Sequence, residues 1–220
     1  MDARDSWDGG AARELPQSGP AGAFDPPPRR PATTPEPLAL WSELLAGHWK
    51  LLRRIQTDGE ELVVVATSGH RRARPAPLTT SERAVAGPVA RGLANAEIAY
   101  DLGLLESTVG SHVSRVLRKL WLRDRSDLIR FAARSRLVNL YAINGEWVAA
   151  LPPLLVPTPT HLLSRAEQDI YQSLIDGATN AEIADRRAVS CRTVANQVSS
   201  ILRKCGVASR QELLAVAVGN

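Results

Sequence analysis

The sequence predicts a mainly α-helical protein: two tandem four-helix units, each preceded by a short β-hairpin (α+β overall), behind a disordered N-terminal tail. Three observations carry that expectation. Residues 78 to 132 align without a gap on residues 163 to 217 at a fixed offset of 85, and 18 of the 55 aligned pairs are identical; each copy is therefore a structural unit, and the differences between copies carry functional information. Apolar residues recur at helical spacing inside each copy. Upstream of each copy, apolar runs flank Asp58-Gly59 and Asn144-Gly145, dipeptides that supply positive φ at both centres of a type I′ turn.

Taken in order, residues 1–37 hold eight of the fifteen prolines and few aliphatic side chains. Such a composition buries too little apolar surface to offset ordering entropy, which predicts disorder. Residues 38–77 form the next segment. Leu38, Trp41, Leu44 and Leu45 predict a short helix over Leu38 to Ala46. Trp49 to Ile55 and Leu62 to Ala66 predict a hairpin, and His70-Arg71-Arg72-Ala73-Arg74 reads as a basic linker. The first repeat unit occupies 78–136, with helices from about Ser81 to Arg91, from Asn95, from Glu106 to Leu120 and from Arg125. Thr79 or Thr80 caps the first, and Gly92 follows it at the left-handed C′ position. The Asn95 side chain is expected to cap the second, whose Ile98, Ala99 and Leu102 face inward. Residues 137–162 repeat the hairpin, Leu137 to Ile143 and Trp147 to Leu151, before a proline-stiffened linker. Residues 163–220 repeat the helices, with Gly177 and Asn180 in the places of Gly92 and Asn95. A lone hairpin is marginal in water, so the two should pair with each other or pack on the preceding helix.

The chain carries 27 Lys and Arg against 23 Asp and Glu. The surplus sits in the first unit, where 10 basic residues face 6 acidic, against 7 and 6 in the second. A body of this charge tolerates a polyanion, but charge alone does not separate a DNA face from solvated surface. Cys191 and Cys205 belong to no CxxC or Cys/His ligand set, so no metal or other cofactor is expected. Cys205 reads as a small core residue. No apolar run approaches the length of a membrane span and the N-terminus carries no signal pattern, which predicts a cytoplasmic protein. The four histidines are scattered, and no catalytic triad, paired carboxylate or glycine-rich phosphate loop is present, so no enzyme is expected.

Three helices of these lengths with a tight turn between the second and third make a helix-turn-helix. Leu163, Glu167, Gly177, Asn180, Glu182-Ile183-Ala184, Val189-Ser190, Thr193-Val194, Ile201, Lys204, Gly206-Val207 and Arg210 form an ordered string in the second copy. Leu78, Glu82, Gly92, Asn95, Glu97-Ile98-Ala99, Leu102, Thr108-Val109, His112, Lys119-Leu120 and Arg125 form one in the first. Both copies resemble the LuxR-type (GerE-like) helix-turn-helix domain of bacterial transcriptional regulators. The resemblance implies four-helix domains whose third helix enters the major groove, with a fourth helix that commonly mediates dimerisation. It makes double-stranded DNA the expected partner, with RNA polymerase as a protein partner and either a homodimer or an intrachain pseudo-dimer as the assembly.

Both copies depart from that pattern. The Lys that usually follows Thr-Val is Gly110 in one copy and Ala195 in the other. In the first, Leu105 replaces the capping Ser, and Gly110 weakens the helix by roughly 0.5–1 kcal/mol relative to Ala. Pro88 falls inside the first helix, and Trp121 stands where the family has a C-cap Gly. In the second, Ser190 keeps the cap, but Arg187 stands where a core Leu belongs. The expected base-reading set is therefore Arg192, Thr193, Asn196, Gln197, Ser199 and Arg203 with Lys204, while the first unit contributes Ser107, Ser111 and the phosphate contacts of Arg115, Arg118 and Lys119. The leading function is a sequence-specific DNA-binding transcriptional regulator. The alternative is a protein-interaction regulator, acting on polymerase, a sigma factor or another regulator, built on degenerate helix-turn-helix units.

Overall fold

The computed structural model describes residues 36–56, 60–69, 76–143 and 145–219. The predicted tail up to residue 35, the Asp58-Gly59 turn, the His70 to Arg74 linker and Asn144 of the second turn lie outside the described residues.

The described residues open with a strand, not a helix. Glu36, Pro37 and Leu38 form β1 (Glu36–Leu38), which pairs antiparallel with β4 (Val138–Ile143); composition puts the first two in the tail and spacing puts Leu38 in the helix, and the pairing with β4 overrides both. Proline is tolerated because β1 is an edge strand, where a missing N–H breaks no central ladder. The helix α1 (Leu40–Ala46) begins two residues later. Gly47 closes it at φ 78°, its N–H donating to the Leu44 carbonyl at 3.2 Å, the left-handed cap that glycine makes without steric cost.

The two predicted hairpins are β2 (Trp49–Gln56) with β3 (Glu61–Thr67) and β4 with β5 (Glu146–Leu151). They stabilise one another by joining into a five-stranded sheet of order β1-β4-β5-β3-β2. Val63 pairs with Ala149, Leu62 with Ala150 and Val64 with Val148 at the central β3–β5 junction. The two hairpin turns are offset by 86 residues, which makes Ala149 the counterpart of Val63 itself. An approximate two-fold axis therefore passes through the Val63–Ala149 pair. Trp49 and Trp147 meet edge-to-face across the sheet with ring centroids 6.3 Å apart, a preferred aromatic geometry.

The first unit contributes α2 (Thr80–Ala90), α3 (Asn95–Leu102), α4 (Glu106–Lys119) and α5 (Arg125–Arg134). The second contributes α6 (Arg165–Ile175), α7 (Asn180–Arg187), α8 (Cys191–Lys204) and α9 (Arg210–Ala217). Thr79 and Ser164 cap α2 and α6 through reciprocal capping boxes with Glu82 and Glu167. Asn95 and Asn180 do not cap their helices; they are the first helical residues. The α3 start is held by Glu97, whose carboxylate accepts from the Ala94 N–H at 2.6 Å, and the α7 start by Thr179 with Glu182. The Asn95 amide oxygen instead accepts from Arg125, which also donates to the Leu93 carbonyl; its counterpart Arg210 reaches the Ala178 carbonyl. Pro88 is accommodated near the end of α2, where only two residues follow before the helix closes.

Two cores result. One joins the sheet, α1 and the first unit; the other fills the second unit. Ile129 of α5 is fully buried in the second core rather than the first, because α5 packs against α9. The contact is reciprocal. A Cβ on Gly92 would lie 2.7 Å from the Ala215 Cβ, and one on Gly177 would lie 2.7 Å from the Arg130 guanidinium. Gly92 and Gly177 are aligned residues, as are Arg130 and Ala215, so the second contact is the first with the two units exchanged. The sheet is fastened to the same helix: Glu61, buried, accepts from both Arg54 of β2 and Arg134 of α5, while Arg54 also donates to Asp127 at 3.0 Å and to the Trp121 carbonyl at 2.9 Å.

Candidate nucleic-acid interface

The third helix of each unit is positioned by the apolar stripe on its inner side. Val109, Val113, Val116 and the following Leu120 are buried in the first unit, and Val194 and Ile201 in the second. Among the outward residues runs one stripe at spacings of four, three and four, which keeps side chains on a single helical face. In α8 that stripe is Arg192, Asn196, Ser199 and Arg203, all exposed; in α4 it is Ser107, Ser111, Ser114 and Arg118, also exposed. The α8 stripe offers a guanidinium at each end and an amide between, whereas three of four α4 positions carry short hydroxyls. The Ser111 and Ser114 hydroxyls donate back to the Ser107 and Gly110 carbonyls at 3.0 Å, and Ser199 does the same to Ala195.

The N-termini differ as well. Ser190 caps α8, its hydroxyl oxygen accepting from the Thr193 N–H at 3.0 Å and meeting the Thr193 hydroxyl at 2.8 Å. No acid lies in the first turn of α8, so the positive end of its dipole is free for an anion. Leu105 gives α4 no side-chain cap, and Glu106 occupies its first turn, placing negative charge where a phosphate would sit.

Several sequence-expected residues are placed otherwise. Lys119 donates to the Glu82 carboxylate at 2.7 Å and the Pro77 carbonyl at 3.0 Å, and Lys204 donates to both oxygens of Glu167 at 2.7 and 2.8 Å. Each ammonium clasps the end of the third helix to the capping box of the first. The Lys204 hydrogen bond, with the Ser164 N–H and hydroxyl, holds the Glu167 carboxyl down at about 2. Burial opposes ionisation of Glu82, yet Lys119 and Thr79 keep its pKa below the ordinary carboxylate range. Gln197 is half-buried with its amide oxygen enclosed, as is the ring Nδ1 of the aligned His112, neither having a hydrogen-bond partner among the described residues. Arg115 and Arg118 stand exposed on α4.

The supposed core position of Arg187 is no core position. Its aligned residue Leu102 is 38% exposed rather than inward-facing, and the Arg187 guanidinium runs to Asp169 at 3.6 Å. Trp121 does adopt the conformation its glycine counterpart would, φ 55° against 69° at Gly206, and Ala188 holds φ 52° where Gly103 holds 65°. Cys205 packs against the second core, and burial raises its thiol pKa. The Glu–Lys clasp went unread in the sequence, although both partners recur as identities in both copies.

The model of the bacterial regulatory proteins of the luxR family matches residues 76–132 and again 161–217, just over half of the chain. The chain belongs to the LuxR family, with its domain present as a tandem duplication. The two-component response regulator PprB of Pseudomonas aeruginosa is 45% identical over 51 residues, 23% of this chain and 18% of that protein. The transcriptional regulatory protein YxjL of Bacillus subtilis is 41% identical over 63 residues, 29% of each chain. The transcriptional regulatory protein DegU of Brevibacillus brevis is 36% identical over 62 residues, 28% of this chain and 26% of its own. The matched segments thus span less than a third of these relatives. No solved structure matches the chain. Among the described residues, no helix is long and apolar enough to cross a membrane.

Proposed function

We propose that this chain is a sequence-specific transcriptional regulator of the bacterial cytoplasm, binding double-stranded DNA rather than catalysing a reaction, and that α8 is its base-reading helix. The observation that carries this reading is the exposed Arg192–Asn196–Ser199–Arg203 stripe on a helix with a satisfied Ser190 cap and no acid in its first turn. Arg pairs bidentately with guanine and Asn with adenine, so these donors suit base edges in the major groove. Thr193 lies beside the cap, where a hydroxyl meets phosphate. Gln197 joins the reading set only by rotating its amide outward, and Lys204 only by leaving Glu167.

The first unit serves as the intrachain partner. Its α5 packs on α9; Arg115 and Arg118, both exposed, supply its phosphate contacts, while Ser107 and Ser111 reach no further than a hydroxyl and Lys119 stays in its clasp. Covalent linkage makes engagement of the second unit effectively intramolecular. Sites selected from random DNA and measured by gel shift test the assignment. Arg192→Ala should lose about 1–3 kcal/mol of discrimination at one base position, whereas Arg118→Ala should weaken all sequences alike and lower the salt slope by about 1. Unchanged sequence preference in Arg192→Ala would sink the assignment.

A further inference from the structure

We infer that the edge of the first unit formed by the end of α3, the following turn and the start of α4 docks a basic, amphipathic helix of a partner protein. Tyr100 is 89% exposed and Leu105 74%, with Leu102 and Leu104 also open to solvent. Glu97, Asp101 and Glu106 lie within the same ten residues of chain, all exposed. Exposed apolar groups within six residues of chain, with an aromatic among them, have the composition of an interface centre.

The second unit is the internal control. At the positions of Tyr100, Leu102, Leu104 and Leu105 it carries Asp185, Arg187, Val189 and Ser190, and Asp101 and Glu106 become Arg186 and Cys191. The same fold thus does without a large apolar edge, and the edge of the first unit is no requirement of folding. Between Arg91 and Arg115 the first unit has no Lys or Arg, whereas the aligned stretch of the second has Arg186, Arg187 and Arg192.

Charge selects the occupant. Three carboxylates with no intervening cation repel a phosphate backbone and an anionic membrane alike. A second copy meeting this edge about a two-fold axis would set the acids against themselves. A cationic rim around an apolar stripe satisfies both features, and an amphipathic helix supplies that pattern with anchors at i, i+3, i+4 and i+7. Arg115 lies nine residues beyond Glu106 along α4, about 13 Å at the helical rise, so a docked helix leaves the phosphate-facing arginines clear. The surface is independent of base reading by α8.

The test titrates the full chain into a labelled helical peptide of about 18 residues with Leu at amphipathic spacing and Lys elsewhere, read by fluorescence anisotropy. Tyr100→Ser/Leu105→Ser should weaken binding at least ~10-fold, and a Leu/Glu peptide of the same pattern should not bind. Should that variant misfold by circular dichroism, Asp101→Arg/Glu106→Gln, confined to exposed side chains, is expected to give the same loss. Equal affinity of wild type and variants, or equal binding of the acidic peptide, overturns the proposal. So does self-association of the wild type that the variants abolish, which assigns the edge to a second copy, or loss of DNA affinity in the variants, which assigns it to DNA. Arg192→Ala should bind the peptide as wild type does, which separates this outcome from failure of the DNA assignment.

Discussion

Alanine at Gly92 and at Gly103 should have unequal costs, and the difference measures how closely the two units approach. Both glycines hold positive φ, 87° and 65°, so both substitutions incur the left-handed penalty of about 1–2 kcal/mol. At Gly103 nothing lies within 4 Å of the added Cβ, and the aligned Ala188 already occupies φ 52°; the backbone penalty is the whole effect. At Gly92 the added carbon meets the Ala215 Cβ at 2.7 Å and the Gln211 carbonyl at 3.3 Å. Neither is the flexible end of a side chain, so α9 must shift, and overpacking of this kind costs about a further 1–3 kcal/mol. Urea midpoints of the two variants against wild type read the difference directly. Gly92→Ala should fall below Gly103→Ala, and Gly177→Ala should lose less than Gly92→Ala, because the atoms its Cβ meets are the movable end of the Arg130 side chain. Equal losses at Gly92 and Gly103 would refute the close approach of α9 to the Gly92 turn.

Three other outcomes are expected. Leu105→Ser, which restores the cap seen at Ser190, should raise stability by about 0.5–2 kcal/mol in chemical denaturation. Glu61→Ala should be strongly destabilising, by about 3–5 kcal/mol, because it leaves the guanidiniums of Arg54 and Arg134 short of their shared buried carboxylate; thermal melts of Glu61→Ala beside the exposed Glu146→Ala provide the comparison. Lys204→Gln should destabilise at neutral pH, and the deficit should shrink as the medium is acidified. The Glu167 carboxyl is depressed to about 2 when folded against about 4.3 when unfolded, so its contribution is complete above the unfolded value and is lost as pH falls towards 2. A deficit constant from pH 7 to 2 would contradict this origin.

Much of the architecture was written locally. Capping residues act over a few positions, so Thr79, Ser164, Gly92 and Gly177 do in the fold what their residue types predict. What escaped depends on partners far along the chain. Asn95 was expected to cap its own helix, but Arg125, thirty residues on, takes the amide. Leu102 has helical periodicity with Ile98, yet α3 ends there and leaves it 38% exposed. The short β1 is visible only once β4 exists to pair with it. On the reading helix, the stripe of α8 follows from spacing alone, whereas the capture of Lys119 and Lys204 by carboxylates 37 residues earlier does not.

The dyad through Val63 and Ala149 alters what each substitution can do over evolutionary time. In a homodimer every change is made twice, and an interface residue must suit its own image. In this chain the two sides of the interface are encoded separately. Arg130 stands beside Gly177 while a small Ala215 stands beside Gly92, and the α4 and α8 stripes can differ without either copy constraining the other. Duplication inside one chain thus frees a symmetric scaffold from having symmetric duties.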